Sequence, residues 1–225
     1  MIPLKDDNPT RRFPFVTLFF IALNAAVFLL QLILGPARAE VFVYRTAAIP
    51  YEITTLHDIY PQGIVPPPLT LLTAMFVHAG LFHLLGNMLY LWIFGDNIED
   101  TLGHFRFILF YLFTGAAASM THIIANPGAT VPLIGASGAI AGVLGAYFML
   151  FPRAKVLTLA YFLFFAQVIR IPAIVFLGIW FLFQIISSYM GGAGGGIAWY
   201  AHIGGFIAGA IIALFVKRTG GRRAG

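Results

Sequence analysis

The chain has 225 residues and a formal net charge of +5; 60% of its residues are hydrophobic and only 9% are charged, where a soluble domain carries about a quarter. That composition excludes an ordinary soluble domain, and the lack of cysteine excludes disulfides, thiolate metal sites and cysteine nucleophiles. The basic excess is what the cytoplasmic loops of a membrane protein supply, so it does not point to nucleic acid.

A helical span needs about 20 apolar residues to cross about 30 Å of hydrocarbon. The N-terminal MIPLKDDNPTRRFP contains no signal-type cleavage site, so the first apolar run, 15–34, is expected to be retained as a span. Gly35-Pro36 closes it, and a long loop follows to Pro68. Further spans are expected at about 71–94, 105–124, 137–151, 171–189 and 201–216, each ended by polar residues, glycine or proline. Segment 156–168 is apolar but short, lies between Lys155 and Arg170, and reads as interfacial or packed on the cytoplasmic side. With six spans, one side holds Lys5, Arg11, Arg12, Arg106, Arg153, Lys155, Arg170, Lys217, Arg218, Arg222 and Arg223, and the other only Arg38 and Arg45. The positive-inside rule then makes both termini cytoplasmic. The expected architecture is an all-α integral membrane protein: one six-span domain over 1–225, multi-pass in the cell (inner) membrane, with short cytoplasmic tails.

Polar residues inside spans are costly, so each needs a reason. Thr17, Asn24 and Gln31 recur every seven residues on span one and read as inter-helical hydrogen bonds. Span two carries His78, His83 and Asn87 near its external end, with His83 and Asn87 on one helical face. On span six, His202, Gly205 and Gly209 share a stripe. On span four Ser137, Ala141 and Gly145 do the same, with Gly138 and Gly142 beside them. Small residues at this spacing let helix backbones approach closely. If the two stripes face each other, a hydroxyl meets an imidazole.

A serine becomes a nucleophile when a neighbouring base takes its proton, and neutral histidine suits that task. No Asp or Glu occurs after Asp100, so a third acid would have to come from Glu40, Glu52 or Asp58 in the first external loop. A Ser137–His202 dyad is the more economical reading. Oxyanion donors are available in the Ser137 backbone N–H, at a helix start, and in the His83 and Asn87 side chains. The soluble nucleophile elbow G-x-S-x-G fails at Ala139. Span four, at 1.5 Å per residue, reaches only about 22 Å, which starts the serine roughly 8 Å below the external surface in a watered, protein-walled cavity. The segment 190–196, MGGAGGG, leads toward His202 and reads as a lid. His57, His104 and His122 are scattered, so neither a metal nor a cofactor is expected.

With these residues in place, the chain resembles the rhomboid family of intramembrane serine proteases. The motifs that carry the resemblance are HAGLFHLLGN (His78, His83, Asn87), GASG (135–138) and AHIGGFIAG (201–209), in this order on spans two, four and six. The resemblance implies a six-helix bundle with a short buried catalytic fourth helix, Ser137 as nucleophile and His202 as general base. It places His83, Asn87 and the Ser137 N–H in an oxyanion hole, His78, Gly135 and Gly138 along the substrate or water path, and Ala141, Gly142, Gly145, Gly205 and Gly209 in packing that supports the dyad. Substrates would be transmembrane segments of other proteins in the lipid bilayer, cut near their external end. Glu99 and Arg106, in FGDNIEDTLGHFRF, would be structural. Two departures stand out: Leu69 and Thr70 occupy the places of a frequent Trp-Arg pair, and Ala141 that of a tyrosine which stacks on the histidine. The alternative is a catalytically silent relative that binds transmembrane segments.

Overall fold

The computed structural model describes residues 1–59, 65–162, 165–190 and 198–221. Its first helix, α1 (Phe15–Thr46), outruns the expected span. Gly35 takes φ 72° and ψ 167°, and the chain re-enters a helix at Pro36 instead of leaving for a loop. Glycine tolerates that left-handed φ, and proline suits the first turn of a new helix because its missing N–H has no partner there. The loop after α1 is shorter by that much, with the short α2 (Pro50–Thr55) within it.

Span two is broken. Single 3-10 turns at Pro67–Leu69 and Ala74–Phe76 flank α3 (Thr70–Thr73), and the main helix, α4 (Leu81–Leu102), starts after a gap. The Pro67–Phe76 segment meets α4 at 82°. His78 therefore lies in the gap, not on the helical face of His83 and Asn87. A break buried in apolar surroundings strands backbone polar groups, and Gln31 of α1 satisfies two of them. Its Nε2 donates to the His78 carbonyl at 3.0 Å, and the His78 N–H donates to its Oε1 at 3.2 Å.

The other end of α1 is held by the opposite device. Glu99 of α4, 1% exposed, accepts the Val16 N–H (2.9 Å), the Thr17 N–H (2.7 Å) and the Thr17 hydroxyl (2.7 Å). A carboxylate at a helix start satisfies orphan donors and complements the helix dipole. His104 Nδ1 lies 2.6 Å from the same carboxylate. Of the three polar residues on α1, Thr17 and Gln31 reach other elements, whereas the Asn24 amide donates to Phe20 of its own helix at 2.7 Å.

The remaining helices are α5 (His104–Ala125), α6 (Ser137–Leu150), α7 (Ala173–Met190) and α8 (Trp199–Gly221). Among the described residues, α1, α5, α7 and α8 are each long and apolar enough to cross a membrane, and the bent pair that ends in α4 makes a fifth. Helix α6 has 14 residues and reaches about 21 Å, short of a bilayer core. It lies inside the bundle, with every residue from Gly138 to Tyr147 buried.

The fold is mostly helical rather than all-α. The described residues of segment 156–168 form strands: β2 (Lys155–Phe162) and β3 (Phe165–Pro172) are antiparallel, and β1 (Ile2–Asp6) pairs antiparallel with β2. Runs of eight residues rich in β-branched and aromatic side chains are too short to span and suit a pleated ladder. The N-terminal tail is thus a strand, tied further to the bundle by the Tyr147 hydroxyl, which donates to Asp6.

Helix α6 packs on α8 at backbone contact. A Cβ on Gly205 would overlap the Gly138 carbonyl oxygen, one on Gly209 the Gly142 carbonyl oxygen, and one on Gly145 the Phe206 carbonyl oxygen. The obstacles are backbone atoms, which cannot rotate aside. Gly209→Ala should therefore lower stability by about 1–3 kcal/mol, the usual cost of overpacking, read as a lower thermal unfolding midpoint in detergent with helical circular dichroism retained at low temperature.

Candidate active site

The loop before α6 is fixed by main-chain bonds. Ala48 and Leu133 exchange N–H···O bonds of 3.1 and 2.9 Å, the Tyr51 N–H donates to Ala129 at 3.0 Å, and the Gly135 N–H donates to Ala74 at 2.9 Å. Gly135 takes φ +115°, a conformation that favours glycine, and Ser137 follows as the first residue of α6. Its backbone N–H belongs to the first turn, where no intrahelical acceptor exists.

The glycine contacts between α6 and α8 bring Ser137 and His202 together. His202 Nε2 lies 2.9 Å from Ser137 Oγ. The other ring nitrogen, Nδ1, lies 2.8 Å from Oε1 of Gln184 on α7, a residue 3% exposed. Two indoles flank the imidazole: Trp180 with ring centroids 5.9 Å apart and tilted by 36°, and Trp199 at 6.2 Å, edge-on. They occupy the role left vacant at Ala141, which is itself fully buried among apolar neighbours.

Both residues border a cavity of about 820 Å³, whose wall also includes His83, Asn87, Tyr90, His122 and Gln184. The Ala79 N–H donates to His83 Nδ1 at 3.4 Å, which leaves the ring proton on Nε2. A Cβ on Gly135 would lie 2.8 Å from His83 Nε2 and 3.7 Å from Asn87 Nδ2, so bare backbone stands beside both donors. Asn87 Nδ2 is buried and has no hydrogen-bond partner among the described residues. A group with donors to spare next to a hydroxyl and an imidazole can accommodate developing negative charge.

Other expected site residues fall elsewhere. His78 is 1% exposed, packs edge-on to His83 with ring centroids 5.1 Å apart, and is not on the cavity wall. It sits behind His83, because the break in span two turns it toward α1. Gly138 faces Ala118 of α5, where a Cβ would come within 2.7 Å, and so belongs to packing rather than to a water path. Gly142 likewise abuts Thr114 as well as α8. Leu69 is exposed, and Thr70 donates to the Pro67 carbonyl at 2.6 Å. The segment read as a lid, 190–196, lies outside the described residues except for Met190.

Sequence reasoning missed Gln184, Trp180 and His122 as neighbours of the site. The signal for Gln184 was its cost, a lone amide within an apolar span. For His122 it was position, in the last turn of α5 beside the loop that leads to Ser137.

Comparison with known proteins shows which family the chain resembles. The family model described as the Rhomboid domain matches residues 68–219, which contain every residue of the cavity wall named above. The chain is 31% identical over 167 residues to "Rhomboid protein 1, mitochondrial" of Saccharomyces cerevisiae, across 70% of this chain and 44% of that protein. It is 43% identical over 76 residues to "Rhomboid protease GluP" of Bacillus subtilis, across 34% and 14% respectively. To "Presenilin-associated rhomboid-like protein, mitochondrial" of Bos taurus it is 30% identical over 125 residues, across 54% and 33%. The matched stretches thus span less than half the length of these relatives. The family match covers most of the chain, and the protein belongs to the rhomboid family of membrane proteins.

Proposed function

We propose that this protein is an intramembrane serine endopeptidase that cuts transmembrane segments of other membrane proteins with a Ser137–His202 dyad. The observation that carries the reading is the 2.9 Å approach of His202 Nε2 to Ser137 Oγ within a cavity that also holds the unpartnered Asn87 amide. In the reaction, the Oγ–H proton passes to Nε2 as Oγ bonds to the scissile carbonyl carbon. Negative charge then grows on the carbonyl oxygen, within reach of the Ser137 N–H, His83 Nε2–H and Asn87 Nδ2–H. The C–N bond breaks, and the imidazolium returns its proton to the leaving amine. A water, deprotonated by the same Nε2, then hydrolyses the acyl-enzyme. The cavity supplies what hydrolysis in a membrane needs: room for water and for an unwound stretch of substrate.

Around that site we place one domain over 1–225 with six crossings, α6 as the short fourth and the bent segment with α4 as the second. Both termini lie in the cytoplasm and the protein resides in a cell (inner) membrane. The distribution of arginine and lysine supports this orientation, and the three-stranded sheet falls on the cytoplasmic side with the N-terminus.

Purified protein in detergent should be labelled by a fluorophosphonate at Ser137, as located by mass spectrometry of the peptide. Ser137→Ala and His202→Ala should each abolish cleavage of a reporter span while unfolding midpoints stay near that of the wild type. Wild-type turnover by Ser137→Ala would remove the nucleophile assignment. Asn87→Ala should slow turnover by about 10- to 1000-fold, the range for a lost oxyanion donor, with substrate binding little changed; an unaltered rate constant would take Asn87 out of the site.

A further inference from the structure

A histidine base works only in the tautomer that leaves Nε2 unprotonated toward the serine, and in serine hydrolases a buried carboxylate on Nδ1 enforces it. No carboxylate is available here, since the sequence has no Asp or Glu after Asp100 and none of the acids before it contacts His202. The atom facing Nδ1 is Gln184 Oε1, at 2.8 Å. We propose that Gln184 is the positioning residue of this catalytic site, fixing both the tautomer and the orientation of His202; this rests on the protease reading.

The assignment is determined by a chain of donors and acceptors. Gln184 Nε2 donates to the Trp180 carbonyl at 3.1 Å. A carbonyl only accepts, so the amide nitrogen must face Trp180 and the amide oxygen must face His202. An amide oxygen also only accepts, so Nδ1 must carry the proton. Nε2 is then left with its lone pair, 2.9 Å from the Ser137 hydroxyl. Trp180 contributes twice: its carbonyl sets the amide and its ring flanks the imidazole.

A neutral orienter suits the location. A carboxylate in a span would carry a large desolvation cost whenever His202 is neutral, that is, through most of the catalytic cycle. The amide gives up part of the stabilisation of the imidazolium but holds the same geometry without a buried charge.

The test uses the full chain in detergent with a reporter span and two variants. Gln184→Met keeps length and bulk and removes the acceptor; Gln184→Glu keeps an acceptor and adds charge. The Met variant should lose roughly 10- to 100-fold in kcat, a fraction of a general base's contribution, with KM within about twofold, and fluorophosphonate labelling of Ser137 should slow in parallel. The Glu variant should keep labelling, and the acid limb of its kcat/KM profile should move to higher pH, because a carboxylate favours the imidazolium. In the wild type, the ¹⁵N shifts of His202 should report a protonated Nδ1 and a bare Nε2. Wild-type labelling rates in the Met variant, or the opposite tautomer in the wild type, would overturn the positioning role and leave the dyad standing. Equal impairment of both variants with an unmoved acid limb would reduce Gln184 to packing. A folded wild type that is not labelled would overturn the protease reading itself.

Discussion

The distance between Ser137 and His202 depends on the contact of two helix backbones. No hydrogen bond between the side chains could set it alone, because each sits near the end of a different helix. What sets it is the overlap avoided at Gly145, Gly205 and Gly209, where carbonyl oxygens of one helix rest on bare Cα atoms of the other. In lipid there is little hydrophobic gain in bringing two apolar helices together, so close packing must supply the attraction. The same surfaces that hold α6 and α8 together therefore also fix the geometry of the candidate dyad. A side chain on either stripe would alter both.

The sequence disclosed this pairing because the glycines recur at helical spacing and each stripe ends in one polar residue. It named Ser137 and His202 for that reason, and His83 and Asn87 as polar residues four apart on one helical face; the structure lines one cavity with all four. Other parts were legible only as composition. Gly35-Pro36 reads equally as the end of a helix or as a bend within one, and the chain takes the bend. The run between Lys155 and Arg170 had strand-forming residues but no clear period, and its partner strand lies about 150 residues away at the N-terminus. His78 was counted on span two with His83, but the helix is interrupted between them. Gln184 belongs to no motif at all. Its role rests on a hydrogen bond to His202, 18 positions later and on another helix.

Charge is distributed by the same logic. The buried carboxylate, Glu99, stands at a helix start where N–H groups and a hydroxyl surround it, so its ionised form is solvated by protein. Around the His202 ring, the contacts among the described residues are the Ser137 hydroxyl, a neutral amide and two indoles.

Glu99 and Gln31 together have one more effect. They join α1 to the second span at Thr17 and again at Gln31, 14 residues or about 21 Å apart along the helix. A joint fastened at one point can pivot, and a smooth helical interface can slide by a turn. Fastened at two distant points it can do neither without breaking bonds at both. The height at which His83 and Asn87 stand along α1 is therefore a fixed dimension of the molecule, and in the proposed reaction the level at which a substrate's backbone would meet them is fixed with it.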